Sequence, residues 1–401
     1  MKVQYLVQHF SAPETGRGGR AFEACRRLAG KGHHVDLLAA RRPEGEKGWK
    51  VAQRDGFSTH LYPVAYSQKM SPRQRIRSFS TFAAAAAHHA RRLPADVVLA
   101  SSTPLTVAIP GVYSSRGRGA FVFEVRDLWP EMPIAMGALR NPFQIAVAKR
   151  LETWAYQNAD HLIAASGGMA DGVAAHGYPR ERISVIPNAS DIDDFQADDG
   201  EAFREAHPEL SGKALVLFAG SLGPLYEPLT MVKYAERFHA ISDRLMMVVI
   251  GSGSQKQVAA SAAETAGILG KSIIFLDPLP RPGIISAFRA SQVVLSIAVD
   301  VPGIEHNSAN KFFDGLAAGK PVAVNYGGWQ ARLLEEREAG LSLSRDATVA
   351  ANQIAELALD EEASATFGRN ALQLAEDKFA RALLVDELEA VLLSAAALRG
   401  R

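Results

Sequence analysis

Almost from end to end, this chain switches between short β-branched or apolar runs and segments of helix length, and that change of period is the strongest limit on its fold. Runs at 3–7, 35–39, 97–100, 121–125, 161–164 and 183–186 have the length of buried strands. A second series follows at 215–219, 246–250, 273–276, 293–297 and 322–324, with amphipathic stretches such as 229–241 and 284–290 in between. Alternation of this kind predicts parallel sheets with helices on both faces. At 401 residues the chain exceeds the roughly 250–300 at which one core stops growing, so two α/β domains are expected. The polar, acidic stretch 188–212, which holds Asp191, Asp193, Asp194, Asp198 and Asp199, makes the connection and sets the domains at 1–195 and 196–379. The Ala-rich tail, about 380–401, reads as helix with no strand after it and is expected to pack back on the first domain.

Composition narrows the class further. A chain with 47% hydrophobic and 22% charged residues is neither disordered nor collagen-like, and no uncharged apolar run reaches the ~18–20 residues a membrane-spanning helix needs. The net charge of +1 removes a general case for a nucleic-acid partner. The total hides an asymmetry: 25 basic against 14 acidic residues up to Ser190, and 19 against 29 beyond it. A basic first half suits an anionic ligand or surface, and uneven surface composition is the plain alternative. The lone cysteine, Cys25, lies in the apolar period Phe22, Cys25, Leu28 and is expected to be a buried small hydrophobe. Residues 1–10 are interrupted by Gln4, Gln8 and His9 and do not read as a leader, so the expected location is cytoplasmic.

Two such domains facing each other would enclose a cleft at the carboxyl ends of their strands, which places function in the βα loops. The first loop, from His9 to Arg20, carries Gly16, Gly18 and Gly19 ahead of a helix, where backbone N–H groups and the helix dipole suit a phosphate or acceptor. Gly16, Gly18 and Ala21 also fit a dinucleotide fingerprint with Asp36 as ribose acceptor, although about seven residues separate the strand from the glycines; a purely structural loop is a third reading. After the strand at 121–125, Arg126 and Asp127 could orient a hydroxyl or balance a leaving phosphate, or simply pair to close the strand end. Gly220, Ser221 and Gly223, with Gly251 and Gly253, form two strand-to-glycine turns of the kind a nucleoside diphosphate uses. Richest is 302–321: a polar loop, then a helix expected from near Ser308 to Gly319. Its first-turn amides and Lys311 would face an anion, and Asp314, one turn on, would accept from a ribose diol. No spacing of His, Cys or acidic residues reads as a metal site.

The helix segment Asn310, Lys311, Phe312, Phe313, Asp314 through Gly319 and Pro321, together with Val185 to Asp191 and Ile250 to Gly253, resembles glycosyltransferase family 4. Gln8, His9 and Phe10 with Gly18 and Gly19, and the run Arg126 to Glu131, are similar more narrowly to bacterial enzymes of surface-polysaccharide and O-antigen assembly. The resemblance covers nearly the whole chain. It implies a GT-B fold and a retaining, metal-independent hexosyl transfer from a nucleotide sugar, UDP-linked, with no other cofactor, in which the leaving phosphate helps deprotonate the acceptor.

The family's Glu-x7-Glu pair falls on His306 and Asp314, so both carboxylate positions are altered, with Glu305 one residue off register as a substitute for the first. Ser221 stands where many members carry the diphosphate-binding Arg, and Tyr226-Glu227 about where they carry Lys. By resemblance, then, Asp127, Lys311 and His306 are the expected catalytic groups. Gly18, Gly19, Ser221, Gly251, Gly253, Glu305, Asn307, Ser308, Asn310 and Asp314 are the expected donor-binding set. An epimerase of the same fold, a dinucleotide-dependent dehydrogenase and a catalytically silent binding module remain as rivals.

Basic residues beside aromatic ones at 69–92, including Arg73, Arg75, Arg77 and Phe79, suit anionic headgroups or a solvated helix. The apolar stretch 132–139 suits a lipid tail or the core. Together they suggest a glycan or polyprenyl-diphosphate-linked acceptor at the inner leaflet.

Overall fold

The structure, a computed structural model, describes residues 1–11, 19–43, 45, 47–67, 70–127 and 129–399. It divides into two compact units, 1–187 with 382–401, and 188–381.

The first unit is built on an eight-stranded sheet. Its strands are β1 (Lys2–His9), β2 (His34–Arg41), β3 (Lys50–Arg54), β4 (Phe57–Pro63), β5 (Val97–Ser101), β6 (Ala120–Val125), β7 (His161–Ala164) and β8 (Ile183–Val185). Their order is β3-β4-β2-β1-β5-β6-β7-β8, parallel except for β3 against β4. β5 and β6 are buried at every residue, as expected of strands covered on both faces. The β3–β4 hairpin escaped the sequence reading because β3 is an exposed edge strand with no apolar alternation. Its signal was the turn: Asp55 and Gly56 both have positive φ, 47° and 86°, the conformation an Asp-Gly hairpin turn adopts. Cys25 is fully buried beside Phe22 and Leu28. The helix Pro72–Ala90 starts at a capping box in which Ser71 Oγ accepts from the Gln74 amide and Gln74 Oε1 accepts from the Ser71 amide.

The second unit carries β9 (Ala214–Ser221), β10 (Leu245–Ser252), β11 (Ile273–Leu276), β12 (Val293–Ser296), β13 (Val322–Val324) and β14 (Gly340–Ser342), all parallel, in the order β11-β10-β9-β12-β13-β14. β14 is only three residues long and opens on Gly340, where a Cβ would sit 1.9 Å from the Val322 carbonyl oxygen; no β-branched pattern announced it. In both sheets the chain winds outward from a central strand, then restarts on its other side. Right-handed crossovers then put helices on both faces and leave an opening beside that strand, between β1 and β5 and between β9 and β12.

The division between units falls at Pro187/Asn188, ahead of the 195/196 boundary read from the acidic stretch. Side chains of 188–196 explain it. Asn188 Nδ2 donates to the Ser308 carbonyl at 2.6 Å, Arg381 Nε reaches Asp191 Oδ1 at 2.6 Å, and Arg281 holds Asp194 at 2.8 Å. Two of the acidic residues that mimic a solvated linker, Asp191 and Asp194, are thus salt-bridged within the second unit. The helix Arg381–Arg399 joins the first unit from Ala382 on, burying Leu384, Val385, Leu388, Leu392 and Ala395. Glu389 takes Lys31 at 2.7 Å and His33 at 2.6 Å, and Arg399 takes Asp160 at 2.9 Å. Leu392→Ala should therefore cost about 2–5 kcal/mol of stability, read from denaturant unfolding of the full chain.

Candidate functional site

In the second unit the carboxyl ends of β9 and β10 run side by side through their last residues, with Gly251 paired to Gly220 and Ser252 to Ser221. A Cβ on Gly251 would lie 1.8 Å from the Gly220 carbonyl oxygen, and one on Gly253 2.4 Å from the Leu222 carbonyl. These glycines have a packing reason: the two strand ends meet backbone to backbone and continue as hydrogen-bonded loops, with the Leu222 amide donating to Ser252 O and the Gln255 amide to Leu222 O. Ser221 is half-buried at the end of β9. Gly220, at φ 153°, would place a Cβ 3.3 Å from Lys311 Cε, so the lysine passes directly over the backbone there.

Lys311 belongs to the helix Asn310–Ala317, shorter at each end than the expected 308–319. Only 6% of Lys311 is exposed. Its Nζ sits 3.6 Å from the Tyr226 ring centroid and 4.8 Å from that of Phe218, and among the described residues it has no ion pair. Burial lowers its pKa to about 7, partly opposed by the charge of Asp314. Tyr226, at the place where a family lysine was expected, therefore packs against a lysine brought from another helix. A buried ammonium held by two ring faces, with no carboxylate paired to it, is a preformed partner for an anion.

The loop before that helix is braced from three sides. Asn188 holds the Ser308 carbonyl, Trp329 Nε1 donates to Asn307 O at 3.1 Å, and Gly328 lies so close that a Cβ would meet the Glu305 carbonyl oxygen at 2.3 Å. No side chain caps the helix start, and Ser308 Oγ is buried without a hydrogen-bond partner. Asn310 is exposed at the first helical position. Glu305 and His306 lie half-exposed on the turn Ile304–His306, with His306 Nε2 3.7 Å from Glu305 Oε1. Asp314 differs from the expectation. Its Oδ1 accepts a short hydrogen bond from Ser190 Oγ, so it is already engaged in bracing the 188–196 segment, and burial raises its pKa.

In the first unit, Asp127 is exposed beyond β6 and accepts from Thr103 Oγ1 at 3.2 Å. Arg126 forms no ion pair with it among the described residues; the Arg126 amide donates to Ser102 Oγ instead. Gly19 caps the helix Arg20–Gly30, its amide directed at Ser11 O. Gly16 and Gly18, and with them the dinucleotide fingerprint, lie outside the described residues. Sequence reasoning missed Arg20 and Glu124, a buried pair 2.7 Å apart. Burial raises the Glu124 pKa, but Arg20 and Arg126 bring it below the usual value, and Arg20 also donates to the carbonyls of Ile186 and Pro187. A lone Arg and a lone Glu in sequence carry no such signal.

Residues 15–189 match the glycosyl transferase 4-like domain and residues 199–374 the glycosyl transferases group 1. This chain belongs to the family 4 glycosyltransferases. Among curated relatives it is 27% identical over 228 residues to D-inositol 3-phosphate glycosyltransferase of Kribbella flavida, covering 54% of this chain and 53% of that protein. The chain spans about half the length of the curated relatives it matches. In fold it is similar to sucrose-phosphate synthase from Thermosynechococcus elongatus (TM-score 0.76, 13% identity, 99% of each chain). It is also similar to Anabaena HepE in complex with UDP and glucose (TM-score 0.71, 17% identity, 98% of this chain and 100% of the other). Those neighbours have the GT-B fold that the family resemblance implies, built from the two parallel-sheet domains that the alternation predicts.

The depressed Lys311 pKa has a measurable consequence. Between pH 7 and the ordinary lysine value the unfolded chain holds a proton that the folded chain does not, so stability of the unliganded protein gains from this group as pH rises. The difference in Tm between pH 9 and pH 7 should be more positive for the wild type than for Lys311→Met; equal differences would refute the depressed pKa.

Proposed function

We propose that the protein transfers a sugar from a UDP-linked donor with retention of configuration, the diphosphate being held at Lys311. The observation that carries this is the buried, unpaired Lys311 ammonium, set over Gly220 at the opening beside β9 and one residue into an uncapped helix. As the C1–O bond to the β-phosphate breaks, charge grows on the diphosphate, and Lys311 with the amides of the 308–311 turn stabilises it where water is excluded. The acceptor oxygen bonds to C1 and its proton passes to the leaving diphosphate, so neither a protein nucleophile nor a metal at the diphosphate is called for. Ser308 Oγ is free to donate to a phosphate oxygen, and Glu305 and His306 contact the sugar. Gly251 and Gly253 shape the loop under the nucleotide, while Asp127 orients an acceptor or donor hydroxyl. The UDP assignment draws on the family motifs, and HepE, a fold neighbour, binds UDP.

For the acceptor we propose a phosphate-bearing, lipid-linked glycan of surface-polysaccharide assembly, met at the inner leaflet. Two helix faces support it. On Pro72–Ala90, Arg73 and Arg77 are exposed beside Ile76; on Pro142–Gln157, Phe143 (77% exposed) and Val147 stand near exposed Lys149 and Arg150. The sequence reading found the first face but not the second. The stretch 132–139 has no buried residue, which removes the core as its place. Among the described residues no helix is long and apolar enough to cross a membrane. The name carried by curated relatives, D-inositol 3-phosphate glycosyltransferase, supplies the competing acceptor.

Titration calorimetry tests the donor site. At pH 8, UDP binding should take up about 0.9 proton, read from the heats in two buffers of different ionisation enthalpy, because the diphosphate restores the Lys311 proton. Lys311→Met should abolish the uptake and lower affinity at least tenfold; uptake unchanged in the variant would refute the site. For the acceptor, combined Arg73→Ala, Arg77→Ala and Phe143→Ala substitutions should remove binding to anionic liposomes at physiological salt. Retained liposome binding, or UDP release stimulated by inositol 3-phosphate and not by a lipid-linked glycan, would overturn the lipid reading.

A further inference from the structure

Behind the Asp127 loop, three side chains from distant parts of the sequence point at one spot. Glu131 opens the short helix Glu131–Ala135, Glu152 lies on the helix Pro142–Gln157, and His176 ends the helix Gly167–Ala175. One ligating atom of each lies within 4.8 Å of the other two. Glu152 is fully buried, an unusual place for a carboxylate without a cation.

The hydrogen bonds around the cluster show what it lacks. Glu152 Oε1 accepts from the Tyr156 hydroxyl at 2.7 Å, while Glu152 Oε2 and Glu131 Oε2 are both buried with no hydrogen-bond partner among the described residues. His176 Nδ1 lies 2.9 Å from the Gly172 carbonyl, which can only accept, so Nδ1 carries the proton. In the neutral ring Nε2 then presents a lone pair, and it faces Glu152 Oε2 at 3.4 Å without forming a hydrogen bond. With the ring neutral, an imidazole nitrogen and two carboxylate groups thus converge, and among the described residues Glu131 Oε2 and Glu152 Oε2 accept no hydrogen bond.

We infer that Glu131, Glu152 and His176 form a binding site for one divalent transition-metal ion, Zn2+ foremost. Two carboxylates and an imidazole suit zinc or manganese better than calcium, which prefers an all-oxygen set. The surroundings have the arrangement that metal sites need: the second ring nitrogen of His176 is fixed by a backbone carbonyl, and the far oxygen of Glu152 by a tyrosine. The His176 side chain is 30% exposed, which gives the ion a way in and a place for a water ligand. The bound ion ties the segment after β6 to the two helices beside it. Its role is to position the Asp127 loop, apart from the groups proposed to hold the diphosphate. No spacing rule reveals such a site, because 21 and 24 residues separate its members.

The test uses the full chain after treatment with EDTA and dialysis, titrated with ZnSO4, MnCl2 and CaCl2 in separate calorimetric runs. One zinc per chain is expected, with a Tm increase of roughly 5–10 °C at a hundredfold excess over Kd and slower amide exchange in 131–136. Glu152→Gln, which keeps an acceptor for Tyr156, should lose the zinc. His176→Ala, at the solvent edge of the cluster, should lose it too and serves if the buried substitution fails to fold. Crystals soaked in zinc should show an anomalous peak between the three side chains. Failure of the wild type to bind a stoichiometric ion would overturn the site, as would zinc binding retained in a folded His176→Ala variant.

Discussion

The site around Lys311 depends on a contact that excludes side chains. β9 and β10 approach so closely at their carboxyl ends that Gly251 has no room for a methyl group against the Gly220 carbonyl. That approach lets the strand pairing run into the loops, and it leaves Gly220 as bare backbone over which Lys311 extends. A larger residue at 220 would displace the lysine, and a larger one at 251 would separate the strand ends. Glycine here serves geometry before chemistry, and the chemistry follows from where the lysine ends up.

Lys311 is a charged group in a place that disfavours charge. Desolvation pulls its pKa to about 7, and two aromatic faces return part of what hydration supplied elsewhere. Under the proposed function such a group would gain most from a diphosphate, since an anion supplies the missing opposite charge in a region of low dielectric. The bracing of the 305–310 loop by Asn188, Trp329 and Gly328 holds the neighbouring turn in place beforehand, so little ordering remains for binding to accomplish. The first unit solves a comparable problem differently. Its buried carboxylate, Glu124, is neutralised from within by Arg20, which also ties the helix after the first loop to the carbonyls of Ile186 and Pro187.

The three segments that meet at Glu131, Glu152 and His176 extend this contrast. Glu124 is paired with Arg20; the second buried glutamate, Glu152, has the Tyr156 hydroxyl on one oxygen and, facing the other, the His176 ring nitrogen at 3.4 Å. Burial without a full set of partners among the described residues is the mark by which both Lys311 and Glu152 stand out. Opposite signs at the two places call for opposite ligands, an anion at one and a cation at the other.

Much of this was written in the sequence. Among the described residues, eleven of the fourteen strands showed as apolar runs, because a strand buried on both faces needs apolar residues in succession whatever its neighbours are. Lys311, Asn188 and the glycine turns were legible from the family's order of motifs. What the sequence left open was decided by contacts between distant residues. The acidic 188–196 segment looks like a linker until Arg281 and Arg381 neutralise it. That Asp314 also accepts from Ser190 through Oδ1 could not be read from its place in the motif. Local pattern records whether a residue is apolar and which backbone it favours, and that is enough to mark most strands and helices but not the order in which the strands pair. The partner of a buried charge is chosen only by folding, because it comes from wherever the chain happens to bring an opposite charge within hydrogen-bond reach.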